Sequence, residues 1–95
     1  MEKIRLLDFK APWCFPCKNM EPNVHAAMKE FDNIELVEVN VDEEPDMARE
    51  YKVRSIPFLV LLKGNEQDKI SDYDVIGTMV GVRPVEEIKK FLAQA

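Results

Sequence analysis

The chain reads as an α/β fold of four strands and three helices, on three observations. Apolar runs suited to strands lie at Ile4–Phe9, Ile34–Val41 and Ile56–Leu62. Two segments with apolar residues three and four positions apart separate them, so strand and helix alternate. A weaker strand signal from Val75 to Val82 then leads into a last amphipathic segment opened by Pro84.

The first run, interrupted only by Arg5 and Asp8, suits a strand buried on both faces. An acid in such a strand is unusual. Ala11-Pro12 turns the chain into Trp13-Cys14-Phe15-Pro16-Cys17-Lys18, and a helix follows to about Phe31, with Met20, Val24, Ala27, Met28 and Phe31 inward. Pro22 lies inside that pattern and should kink it. The second strand alternates Val with Glu or Asn, which gives it one less buried face. Asp42 is a candidate cap for the next helix, Pro45 suits its first turn, and Met47, Ala48 and Tyr51 form its inner face. The first two strands should be parallel neighbours joined by a right-handed crossover. Pro57 belongs at the mouth of the third strand, because it has no N–H to donate. Lys63-Gly64-Asn65-Glu66 reads as a turn, and the acidic stretch from Gln67 to Asp74 as a solvated loop. Val85, Ile88, Phe91 and Leu92 face inward from the last helix, with Pro84 at its first position.

Ninety-five residues are enough for one core, so residues 1–95 are read as one domain. The net charge is −5, with basic residues scattered among the acids, which argues against nucleic acid or an anionic membrane as partner. The amino terminus has no apolar run of signal-peptide length, and no stretch could span a bilayer. These observations place the chain in a reducing cytoplasm, where a lone cysteine pair is better suited to catalysis than to structure.

Cys14 and Cys17 are the only cysteines. If Cys14 caps the helix and Cys17 lies one turn inside it, both sulfurs share one edge within reach of a disulfide. Cys14 is then the exposed sulfur, and the free N–H groups at the helix start favour its thiolate. Two other readings compete. A structural bridge closing so short a loop would contribute roughly 2 kcal/mol, against about 4.7 for a loop of 100 residues. A zinc site needs four ligands, and beyond the pair only His25 and carboxylates remain. The redox reading, with no metal, is preferred.

Taken together, these residues resemble the thioredoxin family. The likeness runs from Ile4 to Leu92: Leu7-Asp8-Phe9, the Trp13-Cys14-x-Pro16-Cys17-Lys18 loop, Pro22, Asn40-Val41-Asp42 with Pro45, the Tyr51 to Pro57 segment, and Gly81. The resemblance implies a minimal thioredoxin fold, a four-stranded mixed sheet flanked by three helices. It implies that Cys14 attacks a protein disulfide, that Cys17 resolves the mixed disulfide, and that Asp8 accepts the Cys17 proton. It implies a cis Ile56–Pro57 bond beside the sulfurs, and substrate docking on Trp13, Ile56, Pro57, Val80 and Gly81. No cofactor beyond the Cys14–Cys17 disulfide is implied. The implied partners are protein disulfides and a thioredoxin-reductase-like electron donor, met by a monomer. A glutaredoxin-like, glutathione-coupled reductase and a non-catalytic binding module of the same fold are the alternatives. Trp13, the lack of a tyrosine between the cysteines and the lack of a Gly-Gly turn after the fourth strand stand against the first of these.

The sequence departs from the family pattern in several places. It begins directly at the strand leading to the cysteines, without the family's usual first strand and helix, so the second strand is expected at an edge protected by Glu35, Glu38 and Asn40. Phe15 stands where a small residue is common, Lys10 where an aromatic is usual, and Glu38 where a lysine often pairs with the buried acid. With Pro16 and Lys18, these positions are expected to modulate the pair. Asp8 and Glu38 should raise each other's pKa unless Lys10 intervenes. Phe15-Pro16 lacks the histidine of strong oxidants, so the expected potential is about −270 mV rather than about −120 mV.

Overall fold

The computed structural model describes residues 1–95. In chain order its elements are β1 (Glu2–Lys10), α1 (Phe15–Met28), β2 (Ile34–Asn40), α2 (Pro45–Glu50), β3 (Phe58–Asn65), β4 (Asp74–Val80) and α3 (Val85–Leu92), with a 3₁₀ turn at Ile70–Asp72. The four strands form one sheet in the order β2-β1-β3-β4. β2 runs parallel to β1, whereas β3 is antiparallel to both of its neighbours. The expected mixed sheet is therefore present, with β2 at an edge.

Side-chain alternation along β1 divides the core into two layers. Ile4 and Leu6 face α1 and α3, packing with Met20, Val24, Ala27, Ile88, Phe91 and Leu92. Leu7 and Phe9 face the other way, with Val39, Phe58, Val60, Leu62 and the α2 residues Met47, Ala48 and Tyr51. Because both faces are covered, β1 and β3 carry nearly unbroken apolar runs. Asp8 belongs to the face covered by α1, so the site lies in that layer.

Several boundaries differ from those the sequence suggests. The region from Lys63 to Asn65 is strand, because its backbone pairs with Glu2, Lys3 and Ile4 and Glu66 then bonds Met1 at 2.8 Å. Pro57 sits just before β3 and not in its ladder. Asp42 does not cap α2. The cap position belongs to Glu44, which makes no side-chain bond. α2 instead closes at its far end: the N–H of Lys52 bonds the Arg49 carbonyl at 3.1 Å and that of Val53 bonds Ala48 at 2.8 Å, with Lys52 at φ 56°. α1 runs on through Pro22 and ends at Met28, and two tighter turns carry Phe31 back to the core. Pro84 is the cap of α3 rather than its first residue, and β4 ends at Val80. The acidic loop is not wholly solvated: Tyr73 is buried in the second layer, against Gly64.

Candidate active site

The end of β1, the start of α1 and the mouth of β3 meet at the cysteine pair. Cys14 is the N-cap of α1, with extended backbone (φ −87°, ψ 102°), and the Cys17 N–H donates to its sulfur at 3.2 Å. An unpaired helix-terminal donor thus points at the sulfur where a thiolate would form. Cys14 and Cys17 are joined as a disulfide, with their Cα atoms 5.3 Å apart. The expectation that Cys14 is exposed is corrected here: each cysteine is only 4% exposed, packed among Ala11, Val41 and Ile56. The extended cap residue folds its side chain inward, while its neighbours Trp13 and Phe15, at 68% and 71% exposure, project outward.

Opposite the pair, the Ile56–Pro57 peptide is cis and the Ile56 carbonyl oxygen lies 3.8 Å from Cys14 Sγ. The Pro57 carbonyl accepts the Gly81 N–H at 2.9 Å, which ties the end of β4 to the same rim. Gly81 has φ 84°, a left-handed conformation that suits glycine. Val80 and Val82 beside it are exposed. Trp13 donates its indole N–H to Asp42 at 2.8 Å, so the residue read as a helix cap serves to orient the tryptophan. Next to this pair lies a cavity of about 140 Å³ lined by Trp13, Val41, Ala48, Val53, Arg54, Ser55 and Ile56.

Asp8 is 3% exposed on the sheet face that α1 covers, and Cys17 is the first buried residue of α1. Burial pushes the Asp8 carboxyl up from 3.8 to about 6; Lys10 and His25 act against this, whereas Glu38 and Glu21 add to it. Lys10 does intervene, as the sequence allowed. Its ammonium pairs with Glu38 and lies 3.8 Å from Glu21. The Lys10 hydrogen bond holds Glu38 below the usual carboxylate range, so only Asp8 of the two acids is raised. Lys10 itself is raised: burial lowers it, but the Glu38 hydrogen bond and the surrounding carboxylates prevail.

Ligand atoms of Glu21, His25 and Glu38 come within 4.8 Å of one another. Lys10 supplies a cation to both carboxylates, which makes the group an ion-pair cluster. Glu21 is not singled out by the sequence, and His25 there stands only as a poor zinc ligand, yet the spacing of Cys17, Glu21 and His25 by four places all three on one helix face. A cavity of about 190 Å³ reaches from Cys17 to Lys10, Lys18, Glu21 and Asn40. Phe15 and Pro16 occupy the first two helical positions and are exposed.

The family model for thioredoxin matches residues 1–94. A thioredoxin of Bacillus subtilis is 37% identical over 92 residues, covering 96% of this chain and 81% of that protein. Thioredoxin H2 of Arabidopsis thaliana is 42% identical over 69 residues, which cover 72% of this chain but 52% of the plant protein, so the chain spans about half the length of that relative. Among solved structures, oxidised mitochondrial thioredoxin 3 of Saccharomyces cerevisiae superposes with a TM-score of 0.80 at 31% identity, covering 98% of this chain and 79% of the yeast protein. No helix is long and apolar enough to cross a membrane. With a family model spanning nearly every residue and likenesses of this extent around a helix-capping cysteine pair, the chain belongs to the thioredoxin family.

Proposed function

We propose that the chain is a thiol–disulfide oxidoreductase that reduces disulfides in other proteins. The observation that carries this reading is Cys14 at the N-cap of α1, its sulfur accepting the Cys17 N–H at 3.2 Å while Cys17 waits one turn away. In the reduced chain the Cys14 thiolate attacks one sulfur of a substrate disulfide. That S–S bond breaks, and the departing sulfur leaves as a thiolate that takes up a proton. Cys17 then gives its proton to the Asp8 carboxylate, and its thiolate attacks Cys14 Sγ. The second substrate thiolate leaves, and the chain ends as the Cys14–Cys17 disulfide, having passed on two electrons. A thioredoxin-reductase-like protein of the cytoplasm restores the dithiol. The redox group is the chain's own, and no metal or organic cofactor enters the scheme.

The apolar exposures support a protein substrate. Trp13 and Phe15 flank Cys14, and Val80 and Val82 flank Gly81, which bonds Pro57 beside the sulfurs. Four of the six large apolar side chains left exposed thus gather at the site, as a docking patch requires. The Ile56 carbonyl, 3.8 Å from Cys14 Sγ, supports pairing of that backbone with an extended substrate segment. Replacing the resolving cysteine tests the reading: Cys17→Ser should hold partner proteins as mixed disulfides that dithiothreitol releases, and Cys14→Ser/Cys17→Ser should hold none. Partners retained equally by the double variant would show a binding module instead.

A further inference from the structure

β1 sends Asp8 and Lys10 to the same face of the sheet, two residues apart, and β2 sets Glu38 directly beside Asp8 in the parallel register. On the other neighbour, β3, Leu59 stands opposite Asp8 and offers no charge. α1 contributes Glu21 and His25 from above. Asp8 therefore faces two carboxylates, one histidine and one lysine. Of these groups only Lys10 carries a fixed positive charge. Its ammonium is held by ion pairs to Glu38 and Glu21 and lines the cavity that also touches Cys17.

We propose that Lys10 is a positioning residue for the resolving step: clamped between Glu38 and Glu21 beside Cys17, it keeps Asp8 in the anionic form that takes the Cys17 proton. The inference rests on the disulfide-reductase reading above. The proton balance is simple. Cys17 S–H transfers its proton to the Asp8 carboxylate, the resulting thiolate attacks Cys14 Sγ, and Asp8 later returns the proton to water. Lys10 neither gains nor loses a proton. Without it, Asp8 would share its site with two uncompensated carboxylates, and its charged form would be lost at a higher pH.

A single-turnover experiment separates the steps. The reduced chain is mixed with 5,5′-dithiobis(2-nitrobenzoate) in a stopped-flow spectrometer across a range of pH. The first thionitrobenzoate released reports attack by Cys14, and the second reports resolution by Cys17. In Lys10→Met the acid limb of the second release should move up by about one pH unit, making the step about tenfold slower on that limb. Met keeps an unbranched stem of similar length without the charge, so a packing role predicts no displacement in Lys10→Met, whereas Lys10→Arg keeps the charge and should restore the wild-type profile. Glu38→Gln should move the limb the other way, because it removes a carboxylate and frees Lys10 for Asp8. Should Lys10→Met fail to fold, that downward displacement decides the matter alone. A second release with the same pH profile in wild type and variants overturns the role of Lys10. The absence of any second release from the wild type would instead overturn the reductase reading on which it stands.

Discussion

Asp8 shows how one buried side chain links stability to chemistry. Its pKa in the folded chain, about 6, lies above its ordinary value of 3.8, so folding favours the protonated acid. The stabilising contribution of that group is complete below about pH 4 and is lost as the pH rises through 6. At neutral pH the folded chain carries a charge it would rather not bury, at a cost of about 3 kcal/mol. Asp8→Asn should therefore stabilise the oxidised chain by about 2 to 3 kcal/mol at pH 7, with the gain vanishing near pH 4. Urea unfolding at both values checks this, and a variant no more stable than the wild type at pH 7 would contradict it. The same substitution should slow resolution by Cys17 if Asp8 takes its proton, as proposed above. At this scale the sequence was readable where chemistry leaves a local mark: an acid in an apolar strand, two cysteines one helical turn apart. It misled about Cys14, expected exposed but buried in the fold, because burial depends on how an extended cap residue packs against Val41 and Ile56. It was silent about the Trp13–Asp42 hydrogen bond, which joins residues 29 positions apart.

Among the elements, all four strands and three helices were legible because an apolar run or an apolar periodicity marks each of them. Their ends were less so. β3 runs on through Lys63, Gly64 and Asn65 because β1 supplies backbone partners there, and no local signal in a Lys-Gly-Asn turn pattern reports a distant strand. The stretch from Gln67 to Asp74, with three aspartates and one glutamine around Tyr73, has the pattern of a solvated loop, yet the Tyr73 ring lies against Gly64. A Cβ at Gly64 would lie 2.6 Å from the Tyr73 ring. Gly64→Ala should force that ring out of its place and cost roughly 1 to 3 kcal/mol in thermal or urea unfolding. Gly81→Ala differs in cause: a Cβ there meets nothing within 4 Å, and the positive φ alone is strained. Its expected cost is about 1 kcal/mol. Unfolding data that reverse this order would show that Tyr73 is not held against β3 as described.

At the scale of the whole molecule, a chain of net charge −5 gathers four of its six large exposed apolar side chains around one disulfide. That distribution suits repeated, short-lived docking of partner proteins. The helix N-terminus stabilises the thiolate, but Phe15-Pro16 brings no further positive charge to it, so the equilibrium potential should fall at about −270 mV. Equilibration with glutathione or dithiothreitol buffers measures it, and a value above roughly −180 mV would mean an oxidant or isomerase. The most direct test of the account is dithiothreitol-driven reduction of insulin, comparing the wild type with Cys14→Ser. The account predicts rapid turnover by the wild type and a background rate for the variant. Equal rates for the two proteins would contradict it.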